Sequence, residues 1–262
     1  MGRRAEDSAG WPEEAARTFL EEGSQAMDAY VVVDLEMTGL NPKRDRILEI
    51  GAVKVARGLA CGTFQRMVNP RMDLPEEVAK LTGITNEMAR EGGGCEEAVR
   101  GFLEFAEGLP LAGHNLIYDY GFLKQAAVNQ GLELHKEGID TLKLARKFLP
   151  DAEKKSLDYL CGFLHIEHDR KHRALDDAEA TAKLLWYLWE TFGDKEPQAF
   201  EAKPLHYKVK KQQPASERQK RRLKELAEYH KIDIGRELDS LTRSEASRMT
   251  DKIIFACGRI VK

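Results

Sequence analysis

The stretch YVVVDLEMTG, residues 30–39, contains the first predicted strand of the chain and its first pair of acidic side chains. A short run of β-branched residues is typical of a buried strand, and here the run ends at Asp34. Side chains two residues apart on a strand point to the same face, so we expect Asp34 and Glu36 to lie side by side. Two carboxylates so close repel each other unless a divalent cation lies between them. The stretch therefore indicates either a metal-binding strand end or a pair of solvated acids.

Further strands and helices follow from the hydrophobic pattern. Apolar and alternating runs predict four more strands, at residues 46–57, 62–68, 109–113 and near 134–139. Helical spacing of apolar residues and turn signals predict helices at residues 75–81, 86–90, 96–107, 118–130, 156–164 and 174–192, and one that begins at residue 140. A run of strands followed by strand–helix alternation favours an α/β fold, with a mixed five-stranded sheet flanked by helices.

Composition divides the chain into four segments. Residues 1–28 are polar and acidic, which predicts a flexible or partly helical tail. Residues 29–194 contain the predicted sheet and form the expected main domain. Residues 195–215 are rich in Lys, Gln and Pro and read as a linker, and residues 216–262 predict a small helical module.

Two capping-box patterns predict where the helices of this module start. Ser216 is followed by Gln219, and Thr242 by Glu245, each before an apolar-periodic run. In a capping box the first side chain and the one three residues later satisfy each other's backbone N–H groups. The sequence thus predicts a helical hairpin as the C-terminal extension.

Charge is distributed unevenly between these segments. The net charge is −3, but residues 195–262 contain 17 Lys and Arg against 10 Asp and Glu, and residues 1–194 contain 24 against 34. A basic extension beside an acidic domain suits a protein that binds phosphates. Five cations of this extension either follow a phosphate backbone or form a solvated face: Lys210, Lys211, Lys220, Arg221 and Arg222.

Composition also excludes several classes of protein. Hydrophobic residues make up 42% and charged residues 32% of the chain, which is ordinary for a soluble globular protein. No stretch approaches the ~20 consecutive apolar residues of a membrane span. The four cysteines are far apart and form no CxxC pair, so we expect neither a disulfide framework nor a zinc site, and a cytoplasmic location.

Two more acidic motifs lie at predicted helix starts. The motif GHNLIYD, residues 113–119, places Asp119 in the first turn of a helix, where the helix dipole favours a carboxylate. The motif HRALDDA, residues 172–178, places His172, Asp176 and Asp177 at the start of the last long helix of the domain. Taken singly, each motif is at least as typical of a helix start as of a metal ligand.

In order and context the three motifs resemble the DEDDh, or DnaQ-like, family of 3′→5′ exonucleases. This family includes the epsilon subunit of bacterial DNA polymerase III and the exonuclease segment of PolC. The resemblance covers about residues 30–189 and includes the segment LTGIT at residues 81–85. It implies an RNase H-like fold and hydrolysis of phosphodiester bonds with two metal ions, Mg²⁺ or Mn²⁺.

The resemblance also implies a role for each acidic motif. Four carboxylates would hold the metal ions: Asp34, Glu36, Asp119 and Asp177. His172 would be the general base, because a histidine can take a proton from the attacking water near neutral pH. The five-residue step from His172 selects Asp177 over Asp176. Carboxylates suit Mg²⁺ because it is a hard cation, and two ions roughly 3.5–4 Å apart can stabilise both the attacking and the leaving oxygen.

Residues near these motifs are candidates for contact with the substrate. By the same resemblance, Thr38 and Gly39 would hold the 3′-terminal nucleotide. His114 and Asn115 either shape the active-site loop or contact the substrate directly. The spacing of His165, His168 and His172 could suggest zinc, but no cysteine lies nearby and His172 already has a role, so no zinc site is predicted.

The expected substrate is the 3′ end of a single-stranded nucleic acid, with DNA favoured over RNA. The opening motif DLEMTGL, residues 34–40, is also similar to that of oligoribonucleases, so trimming of short RNA is an alternative. No polymerase domain is recognisable, which predicts either a free-standing enzyme or a subunit that binds a DNA polymerase. A non-catalytic binding or docking module is the alternative of a different class, and the complete set of four acids and one histidine argues against it.

Overall fold

The strands of the protein form one mixed sheet. The computed structural model describes residues 27–168 and 170–260, so the tail predicted for residues 1–28 lies outside it apart from its last two residues. The sheet has the order β3-β2-β1-β4-β5-β6. The strands are β1 (Ala29–Met37), β2 (Ile47–Ala56), β3 (Leu59–Met67), β4 (Leu111–Gly113), β5 (Glu137–Asp140) and β6 (Lys203–Pro204).

Strand directions confirm the predicted mixed α/β sheet, with one strand more than expected. β1, β2 and β3 form an antiparallel meander, and β4 and β5 run parallel to β1. The additional strand β6 comes from the predicted linker, where Lys203 pairs with Gly138 and Pro204 with Glu137. An edge strand such as β5 exposes unpaired backbone groups, and the passing chain satisfies some of them. Sequence pattern does not reveal a strand of two residues.

Helices flank this sheet and follow it. In the described ranges these are α1 (Glu76–Thr82), α2 (Asn86–Glu91), α3 (Cys95–Phe105), α4 (Ile117–Asn129), α5 (Thr141–Phe148), α6 (Leu157–Leu164), α7 (Ala174–Phe192), α8 (Glu217–His230) and α9 (Arg243–Cys257). Both predicted capping boxes are present, at the starts of α8 and α9. None of the helices described is long and apolar enough to span a bilayer.

Alternate side chains of β1 enter two different cores. Val33 packs in a core with residues of α3 and α4, whereas Val32 packs in a second core with residues of α7. Asp34 and Glu36 continue the series of Val32, because side chains two residues apart share a face of the strand. The acid pair therefore lies on the face of the sheet that α7 covers.

The start of α7 approaches the sheet closely at Gly51 of β2. A Cβ atom at Gly51 would lie 2.1 Å from the backbone carbon of Ala174 and 2.1 Å from the backbone nitrogen of Leu175. Backbone atoms cannot rotate away, so only glycine permits this approach. Gly51 is paired with Asp34 across the two strands, and the start of α7 is thus held over the acid pair.

Candidate active site

Three carboxylates meet where the end of β1 faces the start of α7. Asp34 and Glu36 come from the strand, and Asp177 comes from the first turn of the helix. One ligand oxygen from each lies within 4.8 Å of the others, an arrangement that could hold a metal ion. Glu36 and Asp177 are buried, and Asp34 is partly buried. We call these three residues the carboxylate cluster.

Asp119 lies beside the cluster, in the first turn of α4. It is buried, and its Oδ1 accepts a hydrogen bond of 3.0 Å from the backbone N–H of Leu35. β4 pairs with β1 only at Val31 and Val32. Leu35 lies further along β1 than these pairs, so its N–H is bound by the side chain of Asp119 and not by the backbone of β4. Asp119 is not one of the three residues that meet within 4.8 Å, but its charge raises the pKa of Asp34. The structure thus groups three of the four predicted ligands and places the fourth next to them, and their role as ligands stays a prediction.

The electrostatics of the cluster are those of crowded, buried acids. Burial raises the pKa of Asp34 well above its usual value, and the charges of Asp119, Asp177 and Glu36 raise it further. Burial has the larger effect on Glu36, and together with repulsion from Asp177 it raises the pKa of this carboxyl to about 8. Burial raises the pKa of Asp119 to about 7, although backbone N–H groups oppose the shift. A set of hard oxygen donors whose charge is uncompensated fits a divalent cation such as Mg²⁺ or Mn²⁺.

These shifts predict how the stability of the metal-free protein depends on pH. The folded state keeps protons on Glu36 and Asp119 that the unfolded chain, with usual pKa values of 4.5 and 3.8, has already lost. Stability falls with rising pH wherever the folded state binds more protons. In a chelator, the contribution of Glu36 to the free energy of unfolding is therefore expected to be lost as the pH rises from about 4.5 to about 8. Thermal unfolding across this range measures it.

Glu36→Gln is the control for this prediction, because it isolates Glu36 from the other carboxyl groups, some with raised pKa values, such as Asp119, and some with lowered ones, such as Glu49. The melting temperature of Glu36→Gln minus that of the wild type is expected to increase as the pH rises from 5 to 8. Mg²⁺ should raise the melting temperature of the wild type more at pH 8 than at pH 5, because the deprotonated cluster binds it. A difference between variant and wild type that does not change with pH would contradict the assignment.

The two neighbouring aspartates of the HRALDDA motif have different surroundings. Asp177 lies in the cluster and accepts a hydrogen bond of 3.2 Å at Oδ2 from the backbone N–H of His172. Asp176 instead pairs with Arg170, at 3.1 Å from Oδ1 to Nε. The backbone of His172 has a positive φ of 60°, and its side chain is exposed immediately before α7. The histidine is therefore in solvent at the border of the cluster.

Comparison with known proteins identifies the family. Residues 31–185 match the model of a family described as exonuclease, RNase T. The chain belongs to the RNase T exonuclease family. It is similar to PolC-type DNA polymerase III of Clostridium perfringens, with 37% identity over 163 residues, 62% of this chain and 11% of that protein. For the Bacillus subtilis protein of the same name the identity is 37% over 184 residues, 69% of this chain and 12% of the relative.

Solved structures agree with this family. Exonuclease I of E. coli in complex with a dA16 oligonucleotide has a TM-score of 0.57 at 17% identity, covering 66% of this chain and 42% of that one. Exonuclease X in complex with 5′ overhanging duplex DNA has a TM-score of 0.51 at 25% identity, covering 63% of this chain and 93% of that one. The predicted likeness to DnaQ-like exonucleases and the RNase H-like fold are confirmed. The matched region spans only about a tenth of the PolC-type relatives.

Sequence analysis missed a buried ion pair that anchors the start of α7. Glu49 of β2 lies opposite Glu36 and is fully buried. It accepts hydrogen bonds from Arg173, at 3.0 Å from Nε and 2.8 Å from Nη2, and from the N–H of Ala174 at 3.2 Å. Burial would raise the pKa of Glu49, but the hydrogen bonds from Arg173 and Gln65 outweigh it and the pKa is lowered. An acid in the first half of the largely apolar β2 was the signal that could have revealed this anchor.

His168 also contacts the cluster, which sequence analysis did not predict. Its Nε2 forms a hydrogen bond with Asp177 Oδ1, and its side chain is 5% exposed. Its Nδ1 is buried without a hydrogen-bond partner in the part of the chain that the structure describes. Both oxygens of Asp177 are thus engaged, one by His168 and one by the N–H of His172, although a carboxylate keeps further lone pairs for a ligand. The HxxHxxxH spacing carries no signal for this contact.

The predicted nucleotide-binding residues Thr38 and Gly39 lie in the loop that follows β1. Thr38 is buried, its N–H donates to the carbonyl of Arg46 at 2.9 Å, and its Oγ1 accepts from the N–H of Arg46 at 2.9 Å. A Cβ atom at Gly39 would lie 2.6 Å from Oδ2 of Asp45. The loop is therefore folded tightly back on itself, and its contact with a nucleotide stays a prediction.

His114 and Asn115 connect β4 to neighbouring segments. His114 Nε2 donates to the carbonyl of Lys155 at 2.7 Å, and Nδ1 lies 2.9 Å from Oγ1 of Thr141. Burial lowers the pKa of His114. Asn115 has a positive φ of 65°, which asparagine tolerates, and its N–H donates to Asp140 at 3.0 Å. Since both ring nitrogens of His114 are engaged within the protein, its contacts favour the loop-shaping alternative.

Proposed function

We propose that this protein is a metal-dependent 3′→5′ exonuclease that releases nucleoside monophosphates from the 3′ end of DNA. The observation that carries the proposal is the carboxylate cluster, whose oxygens meet within 4.8 Å at the start of α7 with Asp119 beside them. The family and the fold agree with a nuclease. The direction of digestion, the metal and the substrate are parts of the proposal that the digestion of labelled oligonucleotides tests.

The carboxylate cluster is suited to binding cations, because without them its ionised carboxylates would repel one another away from water. Asp34, Glu36, Asp119 and Asp177 would hold two Mg²⁺ or Mn²⁺ ions. Bound ions of this kind neutralise the carboxylates, polarise the scissile phosphate and lower the pKa of the attacking water. Burial of the acids keeps the ligands in place before substrate arrives, because their side chains have little freedom to rotate.

His172 would act as the general base. Its side chain is in solvent, while its backbone N–H is tied to Asp177, so the imidazole has room to face a water at the border of the cluster. The water oxygen forms a bond to phosphorus as the bond from phosphorus to the 3′ oxygen breaks. The water proton goes to the imidazole, and the departing 3′ oxygen takes a proton from solvent. The products are a nucleoside 5′-monophosphate and a strand with a new 3′ hydroxyl.

Two kinds of relative support DNA as the substrate. The PolC-type relatives are DNA polymerases by name, and the structural neighbours were solved with a dA16 oligonucleotide and with duplex DNA. The same relatives support a role in DNA replication or repair, either as a free enzyme or bound to a polymerase. We propose residues 29–194 as the catalytic domain and residues 216–262 as a small helical module.

Digestion of end-labelled oligonucleotides tests this function. Matched single-stranded DNA and RNA of several lengths, labelled at the 5′ end, are incubated with Mg²⁺, with Mn²⁺ or with a chelator. We expect a ladder of shortened 5′-labelled products from DNA that depends on the metal, and slower digestion of RNA. A substrate labelled at the 3′ end should release its labelled mononucleotide first.

Each other outcome contradicts a particular part of the proposal. Immediate release of a 5′-labelled mononucleotide would reverse the direction. Faster digestion of short RNA than of DNA would favour the oligoribonuclease alternative. Tight binding of the oligonucleotides without any digestion in either metal would favour a non-catalytic binding module.

A further inference from the structure

The two C-terminal helices are fixed to the loop that follows β1 by a buried ion cluster. Glu245 of α9 is 3% exposed. It accepts hydrogen bonds of 2.7 and 2.9 Å from Nη2 of Arg46 and one of 3.0 Å from Nη1 of Arg236. Separating a buried carboxylate from its arginine partners is unfavourable, because it leaves a charge unpaired away from water. The helices α8 and α9 are therefore docked at Arg46.

Arg46 is directly connected to the active site. Its backbone forms two hydrogen bonds of 2.9 Å with Thr38, which is two residues beyond Glu36 of the carboxylate cluster. The docking point of α9 is thus next to the loop for which we propose contact with the 3′-terminal nucleotide.

Further contacts join the starts of both helices to the same loop. Gln212 donates to the carbonyl of Lys43 at 2.8 Å, and the N–H of Arg243 donates to the carbonyl of Gln213 at 2.9 Å. Gln219 of α8 donates to the carbonyl of Arg243 at 3.1 Å. The loop, the end of the linker and the first turns of α8 and α9 therefore form one continuous surface.

Exposed cations lie on the same segments, in the loop, in the first two turns of α8 and at the start of α9. Five exposed side chains have no carboxylate partner within the residues that the structure describes, and we call them the basic strip: Lys43, Arg44, Arg218, Arg222 and Arg243. By contrast, Lys220 pairs with Asp239 and Glu217, and Arg221 lies 4.0 Å from Glu225. Arg218 and Arg222 are four residues apart on one face of α8, where two like charges destabilise a helix. A group of unpaired cations beside the proposed nuclease site is suited to binding a polyanion.

We propose that the basic strip binds the backbone phosphates of the single strand on the 5′ side of the nucleotide being removed. This inference rests on the proposed function, since the basic strip would bind a further part of the same substrate. Arginine and lysine contacts to phosphate add affinity without sequence preference, and they make binding dependent on salt. The helical module thereby gives the enzyme a preference for longer strands.

The test is a double variant with its charge reversed in the strip, Arg222→Glu with Arg243→Glu. The control is Lys252→Glu with Arg259→Glu, which makes the same change of net charge at exposed residues at the opposite end of α9. Both are assayed on single-stranded DNA from 3 to 20 nucleotides long. For the strip variant we expect KM to rise at least about tenfold on the 20-mer and to stay within about twofold on the 3-mer, with kcat unchanged. The control should match the wild type at both lengths.

Binding without catalysis provides a second readout. Fluorescence anisotropy of a labelled 20-mer, measured in chelator at several salt concentrations, gives the salt dependence of the dissociation constant. The neutral variant Arg222→Gln with Arg243→Gln should lower the slope of log K against log salt by about 0.7 for each lost contact. Circular dichroism and thermal unfolding check that the exposed substitutions leave the fold intact.

The outcomes separate this inference from the proposed function. If the wild type digests DNA but the strip variant and the control behave alike at every length, the inference is wrong and the function stands. Equal loss of activity on the 3-mer and the 20-mer also overturns it, because the effect would then come from the catalytic centre. If the wild type digests nothing, the function is wrong, and the anisotropy experiment still decides whether the strip binds single-stranded DNA.

Discussion

Asp34→Asn is expected to lower the rate of 3′-end hydrolysis by at least about 10³-fold, because it removes a proposed metal ligand of the carboxylate cluster. The same substitution is expected to raise the melting temperature of the metal-free protein. Burial and four neighbouring carboxylates raise the pKa of Asp34, so a neutral amide of similar shape relieves repulsion. Initial rates on 5′-labelled DNA and thermal unfolding in chelator measure the two effects. Opposite signs for activity and stability distinguish loss of a ligand from simple damage to the fold.

Asp176→Asn is the matched control for this prediction. Asp176 lies next to Asp177 in the chain, yet its carboxylate pairs with Arg170 outside the cluster. We expect the activity of Asp176→Asn to stay within about twofold of that of the wild type, because a surface ion pair contributes little to stability. Full activity of Asp177→Asn together with an inactive Asp176→Asn would show that the assignment of these two neighbours is wrong.

His172→Ala is expected to lower the hydrolysis rate by about 10²- to 10⁴-fold, the range that a general base contributes. Metal binding should change little, because the carboxylates that would hold the ions remain and the hydrogen bond to Asp177 comes from the backbone of residue 172. Single-turnover rates and calorimetric titration with Mn²⁺ measure the two properties. A large loss of metal affinity would instead place His172 among the ligands.

His168→Ala is the control for the histidine. His168 is buried against Asp177, and its Nε2 is already bonded to that carboxylate, so it has no free access to a water in the site. Its removal should disturb the orientation of Asp177 and cost less activity than the removal of His172. A greater loss for His168→Ala than for His172→Ala would exchange the roles of the two residues.

Local pattern predicted the parts of the site well. The alternation of β1 places Asp34 and Glu36 on one face, and the capping patterns of α8 and α9 are present in the structure. These features depend on residues a few positions apart, so they can be read from the chain directly. The spacing of the four cysteines, which form no CxxC pair, likewise argued against a zinc site.

Other parts of the site depend on contacts between distant residues. The register of β2 against β1 places Glu49 opposite Glu36, and a shift of one residue would turn that side chain to the other face. The contact of His168 with Asp177 arises from the course of a loop. Neither follows from spacing, because no local period relates these residues.

By itself, the sequence determined the first five strands and the helix starts at the capping boxes, because the propensities and periodicities that set them act over one or two turns of chain. Only the tertiary structure decided that Gly51 lets α7 hold Asp177 over the acid pair, and that Arg46 meets Glu245, 199 residues away, beside the active-site loop. The physical reason is that close packing and the pairing of buried charges are properties of surfaces brought together by folding. Which residues will face each other there is not encoded in any single segment.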